Sequence, residues 1–167
     1  HRDLLATCVA AAARAAEPIR ASAAALSTIE WREKSATDFV SEVDLAAESL
    51  AREVVLGRHP DAVIVGEESS PDAIVGSPLA FVVDPLDGTT NFLHGFPWYA
   101  VSMAALVDGR HEAGVVLNVP TGELFTAVAG GGAKRNDTTI VASTRDRLEG
   151  ARIAGPRFVL DKLQKSE

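Results

Sequence analysis

A single cysteine, Cys8, stands in 167 residues. No intrachain disulfide can form, and a reducing, cytoplasmic compartment is the expectation. No histidine or basic cluster beside Cys8 would activate its thiol, so it is read as a small buried residue. Long apolar runs are also missing. The alanine-rich start, residues 10–25, is interrupted by Arg14, Glu17, Pro18 and Arg20. That excludes both a helical membrane span and a signal peptide there. Positive charge is scarce: the net charge is −7 and the pI about 5.1. A broad nucleic-acid or anionic-membrane surface is therefore not expected. A phosphorylated substrate stays open, because bound divalent cations invert the local charge. The chain has no Gly-x-Ser-x-Gly elbow, no Walker A lysine loop, no metal-binding Cys/His spacing and no EF-hand loop, which removes those chemistries.

What is present suits one domain with a real core: 47% of residues are hydrophobic and 23% charged, the balance of an ordinary globular chain. Residues 4–27 carry apolar residues at helical spacing, with a kink expected at Pro18. Residues 28–34 read as a connector. Ser41 offers an N-cap for a second helix, with Glu42 and Asp44 in its first turn. Val43, Ala47, Leu50 and Val54 then make an apolar stripe, with Asp44 off it beside Glu48. Gly57 to Pro60 stops that helix. The period next changes to strands: residues 62–65, 79–83, 98–107, 112–118 and 124–129, with further short ones at 138–142 and 152–154 and a helix over 157–165. Residues 69–77 and 130–136 read as loops, and Asp108-Gly109 as a hairpin turn. Helices packed on a largely antiparallel sheet follow.

The densest chemistry lies at the ends of two apolar strands. Val65 runs into Gly66-Glu67-Glu68-Ser69, and Val83 into Asp84-Pro85-Leu86-Asp87-Gly88-Thr89-Thr90. Pro85 fixes φ and is expected to stop the strand. Asp84 and Asp87 are then close enough to share or flank one ion. Gly88 admits a close backbone approach, and a helix starting there would present the N–H groups of Gly88, Thr89 and Thr90 to an anion. Each acid alone reads more simply as a solvated turn or a strand terminator. Together and in this order, they read as a site for hard cations and an oxyanion. His59, His94 and His111 are read as surface or supporting residues rather than ligands.

At these residues the chain resembles the inositol monophosphatase family of Mg²⁺-dependent, often lithium-sensitive phosphatases. Gly66-Glu67-Glu68 and Asp84-Pro85-Leu86-Asp87-Gly88-Thr89 correspond to its central motifs. Residues 34–44 resemble its Lys-Ser … Asp-x-Val-Thr-x-x-Asp stretch, with Ser41 in place of the usual Thr. Residues 91–133 also resemble it, including Gly114-Val115-Val116, and the likeness runs to about Ser143. The resemblance implies an α+β fold, a layered α/β sandwich of the sugar-phosphatase type. It implies that Glu67, Asp84 and the backbone carbonyl of Leu86 hold a first metal. Asp84 would bridge to a second, also bound by Asp87, and Glu67 and Asp44 would help hold a third ion or its waters. Thr89, paired with Asp44, would activate the attacking water, so Asp44, Glu67 and Thr89 form the implied catalytic set. Asp87 and the backbone of Gly88 and Thr89 would hold the substrate phosphate.

The implied cofactor is Mg²⁺, as two or three ions, with Mn²⁺ a substitute and Li⁺ an inhibitor. A small phosphorylated metabolite is the implied partner, with myo-inositol 1-phosphate as default. Histidinol phosphate, fructose 1,6-bisphosphate, 3′-phosphoadenosine 5′-phosphate and NADP are the sister substrates. A homodimer is also implied, although Trp98 and Tyr99 read as core rather than interface. The family's late Trp-Asp-x-Ala-Ala-Gly-like motif has no counterpart here. Residues 1–167 are therefore expected to be a single domain, the N-terminal part of the family fold, with the second half and one metal-ligating Asp lying elsewhere. The start at His1, without Met, fits an N-terminus out of view. A different class of function also follows from the resemblance, since some bacterial relatives bind RNA-polymerase-associated factors. Retention of every early carboxylate is more than a pure scaffold needs.

Overall fold

The computed structural model describes residues 1–25, 33–67, 78–144 and 146–147. Helix α1 spans Arg2–Ala25, α2 Glu33–Arg58 and α3 Thr89–Leu93. The strands are β1 (Val63–Gly66), β2 (Leu79–Asp87), β3 (Ala100–Val107), β4 (Arg110–Asn118), β5 (Leu124–Val128), β6 (Gly132–Arg135) and β7 (Thr138–Ile140). They form one seven-stranded sheet in sequence order. Among the described residues, only β1 and β2 run parallel; every later neighbour is antiparallel. This is the expected α+β architecture. The expected strand over 152–154 and helix over 157–165 lie outside the described residues, as do residues 69–77.

Helices α1 and α2 pack side by side on the sheet, α1 over β3 and β4, α2 over β2. On α1, Cys8, Ala11, Ala12, Ala15, Ala16 and Ile19 are fully buried. This is a three-and-four spacing of mostly methyl groups that lets the helix lie close to its neighbours. The helix continues through Pro18 to Ala25. Burial pushes the Cys8 thiol up to about 12, which agrees with an inert core residue. Opposite, alternate residues of β3 (Val101, Met103, Ala105) and β4 (Ala113, Val115, Leu117) are buried, as a strand's two-residue period requires. Phe81 and Val83 complete this layer on β2. On the other sheet face, Val116 is exposed.

Five expectations are corrected. Helix α2 begins at Glu33, so Ser41 lies within it and is not its N-cap. Its buried face is Val43, Asp44, Ala47, Glu48, Ala51 and Val55. Asp44 and Glu48 therefore sit on the core face rather than off it. Pro85 does not stop β2, which continues to Asp87. Pairing steps from Asp84↔Ser102 to Asp87↔Ala100, so β2 carries one extra residue there. Such a bulge tolerates proline because no ladder N–H is needed. Finally, residues 132–135 are strand β6 rather than loop, and Trp98 is 64% exposed rather than core. Tyr99 is buried, as expected.

Candidate metal and phosphate site

The parallel pairing of β1 with β2 brings the two acid motifs together. Gly66 lies beside Val83 in the register, and the Glu67 N–H donates to the Val83 carbonyl at 3.2 Å. Glu67 and Asp84 therefore leave neighbouring strand ends at the same level. Their carboxyl groups are hydrogen-bonded to each other. Asp87 lies past the bulge, within electrostatic reach of Asp84. Desolvation first, then the charges of Glu67 and Asp87, raise the Asp84 pKa to about 6 from 3.8; a hydrogen bond from the Leu86 backbone opposes the rise. Like charges crowded in a half-buried place favour the protonated form.

The turn after β2 is held by its own chemistry. Gly88 has φ 91°, and a Cβ there would meet the Trp98 carbonyl at 2.9 Å. Only glycine suits both the conformation and the approach. Helix α3 then begins at Thr89 as expected. The Asn91 side-chain amide donates to the Trp98 carbonyl at 2.7 Å, and Phe92 meets Tyr99 edge to face at 5.2 Å, a favoured aromatic geometry. The Thr89 hydroxyl donates to the Leu86 carbonyl at 3.0 Å. That carbonyl, expected as a metal ligand, thus accepts a hydroxyl proton here, and the Thr89 proton is not directed at Asp44. Asp44 itself is 5% exposed on α2 and engaged with other groups. Glu68 lies outside the described residues.

Among the described residues, no three His, Cys, Asp or Glu side chains are arranged to hold an ion as they stand. Two observations nevertheless fit a hard cation to this place. Asp84 Oδ1 is buried and without a hydrogen-bond partner, an expensive condition that a cation relieves. The Glu67 and Asp84 carboxyl groups lie within hydrogen-bond reach and their charges repel, a repulsion that a divalent ion between them cancels. The donors are all oxygen, the set Mg²⁺ prefers. Glu67, Asp84, Asp87 and the Leu86 carbonyl are the groups that would hold it.

The sequence reading gave Glu48 no role. This carboxyl group is 3% exposed and lies where a Cβ of residue 66 would be. Its spacing of four from Asp44 was the available signal, since that puts both on one helical face. His59 keeps its supporting place: its Nε2 lies 3.0 Å from the Thr7 hydroxyl and its ring against Phe81. His94 and His111 are exposed.

A family model described as "Inositol monophosphatase family" matches residues 1–161. The chain belongs to the inositol monophosphatase family. Among relatives of this family, the chain is 44% identical over 117 residues to "Nus factor SuhB" of Pasteurella multocida, covering 70% of this chain and 44% of that protein. It is 43% identical over 143 residues to "Nus factor SuhB" of Pseudomonas aeruginosa, covering 84% and 53%. Its fold resembles that of inositol monophosphatase-II from Staphylococcus aureus, with TM-score 0.76, 28% identity, and 89% and 55% of the two chains covered. Extragenic suppressor protein suhB from Bartonella henselae gives TM-score 0.74 at 38% identity, with 88% and 57% covered. The chain spans about half the length of these inositol monophosphatase family relatives.

Proposed function

We propose that the protein carrying this chain hydrolyses a small phosphate monoester with metal-activated water, and that myo-inositol 1-phosphate is the first substrate to test. The observation that carries the reading is Asp84: a carboxylate pressed by Glu67 and Asp87, with one buried oxygen left unpaired. Membership of the inositol monophosphatase family supports it. Bound Mg²⁺ supplies charge neutralisation and a more acidic water. The residues do the rest. Glu67, Asp84, Asp87 and the Leu86 carbonyl set where the cations lie. Asp44 and Thr89 orient the attacking water, Thr89 releasing the Leu86 carbonyl as it does so. Asp87 and the Gly88–Thr89 backbone orient the phosphate. Mn²⁺ substitution, Li⁺ inhibition, a cytoplasmic location and a homodimer belong to the same reading. No helix among the described residues is long and apolar enough to cross a membrane.

The deciding experiment measures phosphate release with and without Mg²⁺, across myo-inositol 1-phosphate and the sister substrates. Asp84→Asn and Asp87→Asn are expected to cost about 10³-fold or more, since several kcal/mol of charge stabilisation go with the ions. Unchanged turnover in both variants would end the reading.

The name these relatives carry, Nus factor SuhB, favours a second reading in which the protein serves as a binding factor. Calorimetric titration with Mg²⁺ separates the two. A pure binding factor shows no Mg²⁺ affinity that depends on Asp84.

A further inference from the structure

Glu48 and Gly66 are in contact across the junction of α2 and β1. Gly66 is buried at the end of β1, and its φ is not among the positive ones. Nothing in its backbone requires glycine. The space a side chain would take is instead held by a neighbour: the three atoms nearest a Cβ at this position are Oε1, Cδ and Oε2 of Glu48, all inside contact distance. The carboxyl group of Glu48 therefore occupies the space a side chain at position 66 would fill. It is 3% exposed, a rare state for a glutamate that water would otherwise solvate.

We propose that Glu48 is a positioning residue for the metal site, keyed into the missing side chain of Gly66. The inference rests on the phosphatase reading and concerns the same site. Glu67, the expected ligand, follows Gly66 directly, and its N–H is tied to Val83, next to Asp84. Asp44, the expected water-orienting acid, lies one helical turn before Glu48 on the same buried face of α2. The Glu48–Gly66 contact thus joins the element bearing Asp44 to the strand end bearing Glu67. Chain connectivity alone runs between them through the exposed turn at residues 60–61. Glu48 touches backbone one residue short of a ligand, so it acts on ligand placement rather than on the ion. Groups that orient metal ligands typically matter by 10–100-fold in metal affinity or activity when altered.

The test uses the protein carrying this chain, Mg²⁺ as the probe, and calorimetry beside steady-state kinetics. Glu48→Gln keeps the shape and removes the charge. Gly66→Ala keeps the charge and pushes the carboxyl group, the mobile end of its side chain, out of its seat. Each variant is expected to weaken Mg²⁺ binding about tenfold and to raise the Mg²⁺ concentration for half-maximal rate, with kcat at saturating Mg²⁺ falling less. The double variant is expected to be no worse than the poorer single, because both act through the one carboxylate seated against Gly66. Should Glu48→Gln fail to fold, Gly66→Ala decides alone. Mg²⁺ affinities within twofold of wild type overturn the inference, as do fully additive effects in the double variant. The phosphatase reading fails separately, if Asp84→Asn leaves phosphate release unchanged.

Discussion

The corner where β1 and β2 run parallel and the helix-covered face of β2–β4 are built from opposite materials. Under α1 the interior is mostly methyl groups: Ala11, Ala12, Ala15 and Ala16 against Val101, Met103 and Val115. At the corner, Asp84 is half-buried between two other acids and keeps an unpaired oxygen. One region gains stability by excluding water. The other gives some up to hold charges where a cation can use them, which is the usual cost of a binding site.

Substitutions can sharpen that contrast. The largest effect on stability is expected in the apolar region. Phe81 is fully buried, and Phe81→Ala should cost about 3–5 kcal/mol, read as a lowered denaturation midpoint with an unchanged m-value. Next comes overpacking. Ala15 is fully buried on α1, and Ala15→Leu should cost roughly 1–3 kcal/mol by the same measurement. A null result at both positions would mean that the helix–sheet layer is not the core.

The smallest expected effect has the opposite sign. Asp84→Asn, which should abolish metal-dependent turnover, is expected to raise the melting temperature of the metal-free protein by a few degrees, an increment of about 1 kcal/mol in a domain this size. The pH dependence follows from the raised pKa. Folded Asp84 binds its proton up to about pH 6, whereas the unfolded chain releases it near 3.8. The folded state binds more protons between those values, so wild-type stability falls as pH rises through that window. The advantage of Asn should therefore be complete above about pH 6 and vanish below about pH 4. Saturating Mg²⁺ should reverse the ranking, because the ion stabilises only the wild-type carboxylate. Thermal melts at several pH values, with and without Mg²⁺, check both statements.

Much of this was legible in the sequence because the signals were local. The apolar runs before Gly66 and Asp84, the Asp108-Gly109 turn and the Ala-rich spacing of α1 each report on their own few residues. The acids at strand ends could be picked out for the same reason. Three features were not legible. The bulge that lets Pro85 sit inside β2 exists only in pairing with β3, where Asp84 and Asp87 face Ser102 and Ala100. The burial of Asp44 and Glu48 depends on which face of α2 meets the sheet, and two polar residues on one face mislead a reading based on hydrophobicity. The exposure of Trp98 depends on where the chain turns from α3 into β3.

The order of residues by itself determined the elements, the carboxylates available and the glycines at which backbone may turn or be approached, because these follow from side-chain chemistry and short-range sterics. Tertiary structure alone decided that β1 pairs parallel to β2, and so brought Glu67 against Asp84 across an intervening segment. It also decided that Glu48 fills the space above Gly66. Both are contacts between residues distant in sequence, and only the packing of a whole layer specifies which distant residues meet.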